Sequence, residues 1–306
     1  MTHFKVQANP ILTERGTTLS KRIYLTAAIP LAAAAAIAFG GSAASATASA
    51  HPAAHQPSAK FVAKAKSALV KYLARTPDTA MFVHKPGNAT TATESYNWAG
   101  WADVSNTSQE FTKVSGSWVT PQLVSCSKED TITSEWVGLD GWNSDTVEQD
   151  GTLDWCFQDT PVYFTWYEMY PAGTVEVGES LAPGDAITAS VTRAGTAYTL
   201  ALTDSTNTAN SFTEHATCAL ATCLDNSAEW IAERPSFSIG IAPLANFGSW
   251  HLTGASETAG GKTGNISSFP TNDRVTSIDA TETYDIASVS SLTTGNAFTA
   301  TWKDSY

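Results

Sequence analysis

"AITASVTRAGTAYTLALTD", residues 186–204, decides the fold class. Ile187, Ala189 and Val191 alternate with polar residues on the way out, Gly195 sits where the chain turns, and Tyr198, Leu200 and Leu202 alternate on the way back. A period of two around a turn glycine is the pattern of a β-hairpin with one face buried. The same grain runs in both directions from it. "FTKVSGSWV" (111–119), "TSEWVGLDG" (133–141), "VYFTWYEMY" (162–170), "SAEWIAE" (227–233) and "AFTATWK" (297–303) are rich in Thr, Val, Trp and Tyr and are bounded by Gly, Pro and Asn. Residues 93–306 therefore read as one all-β domain, a sandwich or barrel, with no internal repeat.

What precedes this domain differs in kind. Lys21 and Arg22 introduce an apolar run from Ile23 to Phe39, followed by A-x-A sites ending at Ala46 and Ala50. Residues 1–50 are read as an export signal. The competing reading, an uncleaved anchor, is disfavoured by Pro30, by the Ala-rich composition and by the cleavage-type sequence that follows. Residues 51–92 form a basic leader. Phe61, Ala65, Leu69 and Leu73 fall at helical spacing, with Lys60, Lys64, Lys66, Lys71 and Arg75 on other faces. Residues 1–92 hold ten Lys/Arg against two Asp/Glu, and the remainder seven against 27. A basic leader on an acidic body is expected to dock by charge as an inhibitory propeptide and to loosen when carboxylates protonate. The alternative is a solvated linker that favours membrane surfaces.

Four cysteines, Cys126, Cys156, Cys218 and Cys223, lie in the exported part. They point to two disulfides, most simply Cys218–Cys223 and Cys126–Cys156, although the count permits three pairings. Zinc fits poorly, since His215 and His251 are not in ligand spacing with a cysteine pair. No metal or cofactor is expected. The chain has no G-x-S-x-G, H-E-x-x-H, G-x-x-x-x-G-K-[ST] or D-[TS]-G motif. An acidic body of this charge repels phosphate backbones, which excludes nucleic acid. No segment after the export signal is apolar enough to span a membrane, and a secreted monomer is expected.

What remains is a set of polar residues on aromatic strands. Parity places Trp136, Gly138 and Asp140 on one face of their strand, Val147, Gln149 and Gly151 on one face of theirs, and Phe164, Trp166 and Glu168 together on a third. Glu229 and Glu233 share a face with Ile231. Taken singly, Asp140 reads as a turn former before Gly141 and Gln149 as a surface residue.

"WAGW" (98–101), "GSWVTP" (116–121), "EWVGLDGW" (135–142), "VEQDGTLDWC" (147–156), "WYEMYP" (166–171), "NSAEWIAERP" (226–235) and "PLANFGSWHLTGA" (243–255) together change that reading. In order and spacing they resemble the glutamic peptidases, the G1 or eqolisin family, and most closely its secreted bacterial members. The resemblance implies a concanavalin- or jelly-roll-like sandwich of two curved antiparallel sheets with a Gln/Glu dyad on the concave face of one. It assigns the dyad to Gln149 and Glu229, and orientation and substrate binding to Trp136, Asp140, Glu168 and Trp166. "QDGTLDWC" is one residue longer than its fungal counterpart, so no role passes to Asp154. The expected activity is acid endopeptidase action on protein and peptide substrates, with water activated directly. Two other classes compete on residues alone: a glycoside hydrolase pairing Glu229 with Glu148 or Glu168, and a non-catalytic carbohydrate- or protein-binding module whose tryptophans form a platform.

Overall fold

A computed structural model describes residues 57–73, 81–82, 93–105, 109–126, 130–237 and 240–306. The expected signal peptide, residues 1–50, and part of the basic leader, residues 51–92, lie outside them. Chain order is α1 (Ala59–Leu73), β1 (Trp98–Val104), β2 (Phe111–Val119), β3 (Thr131–Leu139), β4 (Val147–Phe157), β5 (Thr160–Tyr170), β6 (Ala186–Ala194), β7 (Ala197–Asp204), β8 (Phe212–Thr217), β9 (Ser227–Glu233), β10 (Ser249–Ala259), β11 (Asn272–Ile278), β12 (Asp285–Val289) and β13 (Phe298–Trp302), with shorter strands between. The opening hairpin is β6–β7, in which Ala194 pairs with Ala197 across a turn that holds Gly195 at φ 65.

The strands form two layers. One has the order β13-β12-β11-β1-β9-β3-β4-β5 and the other β8-β7-β6-β2-β10, antiparallel throughout these pairs. β10 belongs to both. Its first half, Ser249–Leu252, pairs with β13, whereas Thr253–Ala259 pairs with β2. The register shifts between Thr253 and Ser256, where Gly254 takes φ 64, a left-handed value that lets the strand bend from one sheet into the other.

The space between the layers holds Val137, Trp230, Leu252, Ile187, Leu200 and Trp250, and the Trp230 indole donates to Ser115 O at 2.8 Å across it. It also holds acids. On β4 the residues facing the second layer are Glu148, Asp150, Thr152, Asp154 and Cys156, and those facing away are Val147, Gln149, Gly151, Leu153, Trp155 and Phe157. The usual alternation is inverted: the inner side is polar and the outer side apolar.

An apolar outer side requires a cover, and α1 supplies one. Val62, Ala65 and Leu69 are buried in a second core with Leu153, Trp155, Phe157, Val162, Phe164 and Trp166. Phe61 lies 5.6 Å from Phe157, Lys64 donates to Gln158 Oε1 at 2.8 Å, and Lys66 pairs with Glu179 at 2.7 Å. The buried stripe is thus Val62–Ala65–Leu69, with Phe61 at its flank and Lys60 exposed. The two disulfides join Cys126 to Cys156 and Cys218 to Cys223.

Candidate active site

Four neighbouring strands bring Glu229 of β9, Gly138 of β3, Gln149 of β4 and Glu168 of β5 into one transverse row. The adjoining row is Ile231, Trp136, Gly151 and Trp166. Five of the six residues singled out from sequence therefore share two rows on the outer face. Glu229 and Gln149 stand two strand spacings apart, about 9.6 Å at the backbone, so their side chains converge across Gly138. A Cβ at Gly138 would come within 2.8 Å of Trp136 Cζ3 and 3.2 Å of Gln149 Cβ, so only glycine leaves the ring and the amide room there.

Each of these side chains is held. Gln149 Nε2 donates to Glu168 Oε2 at 2.8 Å, and Glu168 Oε1 accepts from Thr174 Oγ1 at 2.8 Å. This fixes the amide orientation and leaves its second N–H for another acceptor. Trp136 Nε1 donates to Glu233 Oε2 at 2.8 Å, and Asn97 Nδ2 to Glu233 Oε1 at 3.1 Å. Burial raises Glu233 to about 8 despite these donors.

Asp140 does a different job. At φ 67 it turns the chain out of β3, and its carboxylate accepts from the backbone N–H groups of Asp225 (2.8 Å) and Asn226 (2.9 Å) and from Thr146 Oγ1 (3.1 Å). It straps the β3 end to the segment leading into β9, and so positions Glu229 from three residues away.

Glu229 itself is fully buried, and among the described residues neither carboxylate oxygen meets a hydrogen-bond donor. The Ser227 hydroxyl eases its charge from nearby but donates to Asn226 Oδ1 at 3.4 Å, short of a bond to the carboxylate. Burial first, then the charges of Asp140, Glu148 and Asp103, push its pKa well above the ordinary value. Burial thus favours the protonated form of Glu229.

The acids between the layers are shifted the same way, with burial the leading cause in each. Asp103 is raised to about 7, Glu135 to about 8, Glu148 to about 10 and Glu257 to about 11, and Asp150 and Asp154 go well above the carboxylate range. Glu148 faces the second layer while Glu229 faces away, which removes that pair as a glycosidase couple. The carboxylates of Asp140, Glu148 and Asp225 approach closely enough to suggest a metal cluster. Their oxygens are engaged otherwise: Asp140 as above, Asp225 by Tyr198 OH at 2.7 Å and by Arg193 Nε at 3.0 Å, and Glu148 keeps its proton.

Two parts of the leader reach this face. α1 lies over the far end of β4 and β5. Nearer the rows, Met81 N donates to Asn97 Oδ1 at 2.8 Å, Tyr96 N donates to Met81 O at 2.9 Å, and the Phe82 ring packs 4.3 Å from Trp142 and edge-on at 6.5 Å from Trp98. Trp98 in turn packs edge-on against Trp136 at 5.1 Å. Glu233, Asn97, Thr174 and Thr146 have no role assigned from sequence; Glu233's parity with Glu229 is the signal that could have marked it.

Comparison with known proteins places this geometry. The model of the Peptidase A4 family matches residues 96–302. Aspergillopepsin-2 of Aspergillus niger is 28% identical over 201 residues, covering 58% of this chain and 69% of that protein. Among solved structures, scytalido-glutamic peptidase with a transition state analog inhibitor superposes with a TM-score of 0.57 at 22% identity, over 68% of this chain and 98% of that one. SCP-B, a member of the eqolisin family of peptidases solved with the tripeptide Ala-Ile-His, superposes with a TM-score of 0.53 at 20% identity, over the same shares. These two show that the fold is shared.

Proposed function

This chain belongs to the Peptidase A4 family, the glutamic endopeptidases, and from that membership we propose that it is exported as a precursor and cleaves polypeptides in acid through Gln149 and Glu229. The observation that carries this reading is the row Glu229–Gly138–Gln149–Glu168, which sets one carboxyl and one oriented amide on the same face with a bare glycine between them.

The chemistry follows from the residue types. Ionised Glu229 takes a proton from a water molecule as the water oxygen bonds to the scissile carbonyl carbon. The carbonyl π pair moves onto oxygen, and that oxyanion accepts the free N–H of Gln149 Nε2, a kind of contact worth roughly 3–4 kcal/mol where it has been removed elsewhere. When the C–N bond breaks, Glu229 returns the proton to the leaving nitrogen and is a carboxylate again. Glu168 keeps the amide pointed, and Trp136 and Trp166 wall the adjoining row.

The leader fits an inhibitor. It covers the outer face at both ends, and burial favours the protonated form of Glu229, which must lose that proton to act as base. Uncovering readmits water, lowers the Glu229 pKa and restores the base. Two disulfides suit an oxidising compartment outside the cell. The domain division at about residue 92 and a monomeric mature form belong to the same proposal. The test is release of peptides from denatured casein at pH 3–4 by the acid-treated precursor, with Glu229→Gln and Gln149→Ala as comparators. Sugar release from soluble polysaccharides without peptide release would overturn it.

A further inference from the structure

The strip beneath α1 is built for more than a helix. Leu153, Trp155 and Phe157 of β4 and Val162, Phe164 and Trp166 of β5 share the outer face with Gln149 and Glu168 and continue it without a break. Leu153 and Phe157 lie four and eight residues along β4 from Gln149, about 13 and 26 Å at ~3.3 Å per residue. α1, which covers this strip, lies outside residues 96–302 that match the peptidase family. Over the strip itself it lays Val62, Ala65 and Leu69, and its lysines reach only the edge, at Gln158 and Glu179. Among the described residues the buried indole N–H groups of Trp155 and Trp166 meet no acceptor, and a helix, which spends its interior carbonyls on its own backbone, offers none. An extended polypeptide would cover the same apolar surface and also offer free carbonyl oxygens to both indoles.

We infer that this strip is the remote half of the substrate cleft, that it holds an extended apolar segment of the polypeptide four to eight residues from the scissile bond, and that α1 is its occupant in the precursor. The inference rests on the dyad reading above and deepens it. Gln158 and Glu179, which receive Lys64 and Lys66, form its polar rim. Such an arrangement favours unfolded over folded protein, since a folded chain shows few long apolar stretches.

The test uses the mature enzyme produced by acid treatment of the full chain and two sets of synthetic peptides that share one scissile segment. One set carries Leu and Phe four to eight residues from the bond on either side; the other carries Ser and Gly there. The apolar set is expected to show kcat/KM on the order of tenfold higher, mostly through KM, and this ratio should fall towards one in Phe157→Ala. Mass spectrometry should find α1 absent from the active species. Equal kcat/KM for the two sets in the unsubstituted enzyme, or α1 retained in the active form, overturns the inference without needing the variant. With either of those results, an inactive Glu229→Gln leaves the dyad standing and overturns the strip alone. A Glu229→Gln enzyme that still cleaves both sets overturns the dyad and the strip with it.

Discussion

Asp103 of β1 and Glu257 of β10 face each other between the layers, carboxyl to carboxyl. Ionised, neither has a donor among the described residues; with one proton between them they share a hydrogen bond. Their folded pKa values, about 7 and about 11, lie above the unfolded value near 4. Stability from this pair is therefore complete below about pH 4 and is lost as pH climbs towards 7 and beyond. Glu135, at about 8, adds a loss over the same window. Thermal melts from pH 3 to 8 should show the highest Tm at about pH 3–4. Glu257→Gln should match the parent there and melt higher at pH 7, a gain on the order of 2 kcal/mol. A parent that melts higher at pH 7 than at pH 4 would show that favourable pairing outweighs these buried acids.

The dyad gives a sharper expectation. Glu229→Gln removes the base and Gln149→Ala the oxyanion donor, so each should cost at least roughly 100-fold in kcat/KM with the fold intact by near-UV circular dichroism. Near-normal turnover in either variant ends the assignment.

Asp140 is expected to act through structure. Asp140→Ala strands one buried and one half-buried N–H group and puts a β-carbon residue without a polar arm at φ 67, a cost of about 2–4 kcal/mol in urea unfolding. Asp140→Asn keeps an acceptor and tolerates that backbone, so it should recover more than half of the loss. Equal destabilisation by the two variants would show that the negative charge matters more than the strap.

Helix docking separates charge from apolar burial. In the precursor, Leu69→Ala should weaken α1 docking by about 2–5 kcal/mol, whereas Lys66→Ala, which breaks a surface pair, should cost about 0–1 kcal/mol. Hydrogen exchange of α1 reads both. Strong release by 0.5 M salt alone would show that charge holds the helix, as the basic and acidic halves of the sequence suggest.

The β6–β7 hairpin was legible because its turn glycine and its alternation are local. Gln149 and Glu229 were legible only through an ordered set of motifs, since a Gln on a strand carries no signal of its own. The orientation of β4 was not legible. Its polar residues face inward, against the rule that apolar side chains mark the buried side, because protonated carboxyls can be buried where ionised ones cannot. Nor could Trp136 meeting Glu233, 97 residues away, or Asp103 meeting Glu257 be read from spacing, since both contacts exist only once strands distant in sequence are packed together.

The double membership of β10 makes the sandwich a clamshell. Along that side the two layers are one continuous hydrogen-bonded strand bent at Gly254, while Asp150 and Asp154 sit on β4, well away from it in strand order. The layers are thus tied by backbone hydrogen bonds along the β10 side, and towards β4 by the side chains packed between them, buried acids among them.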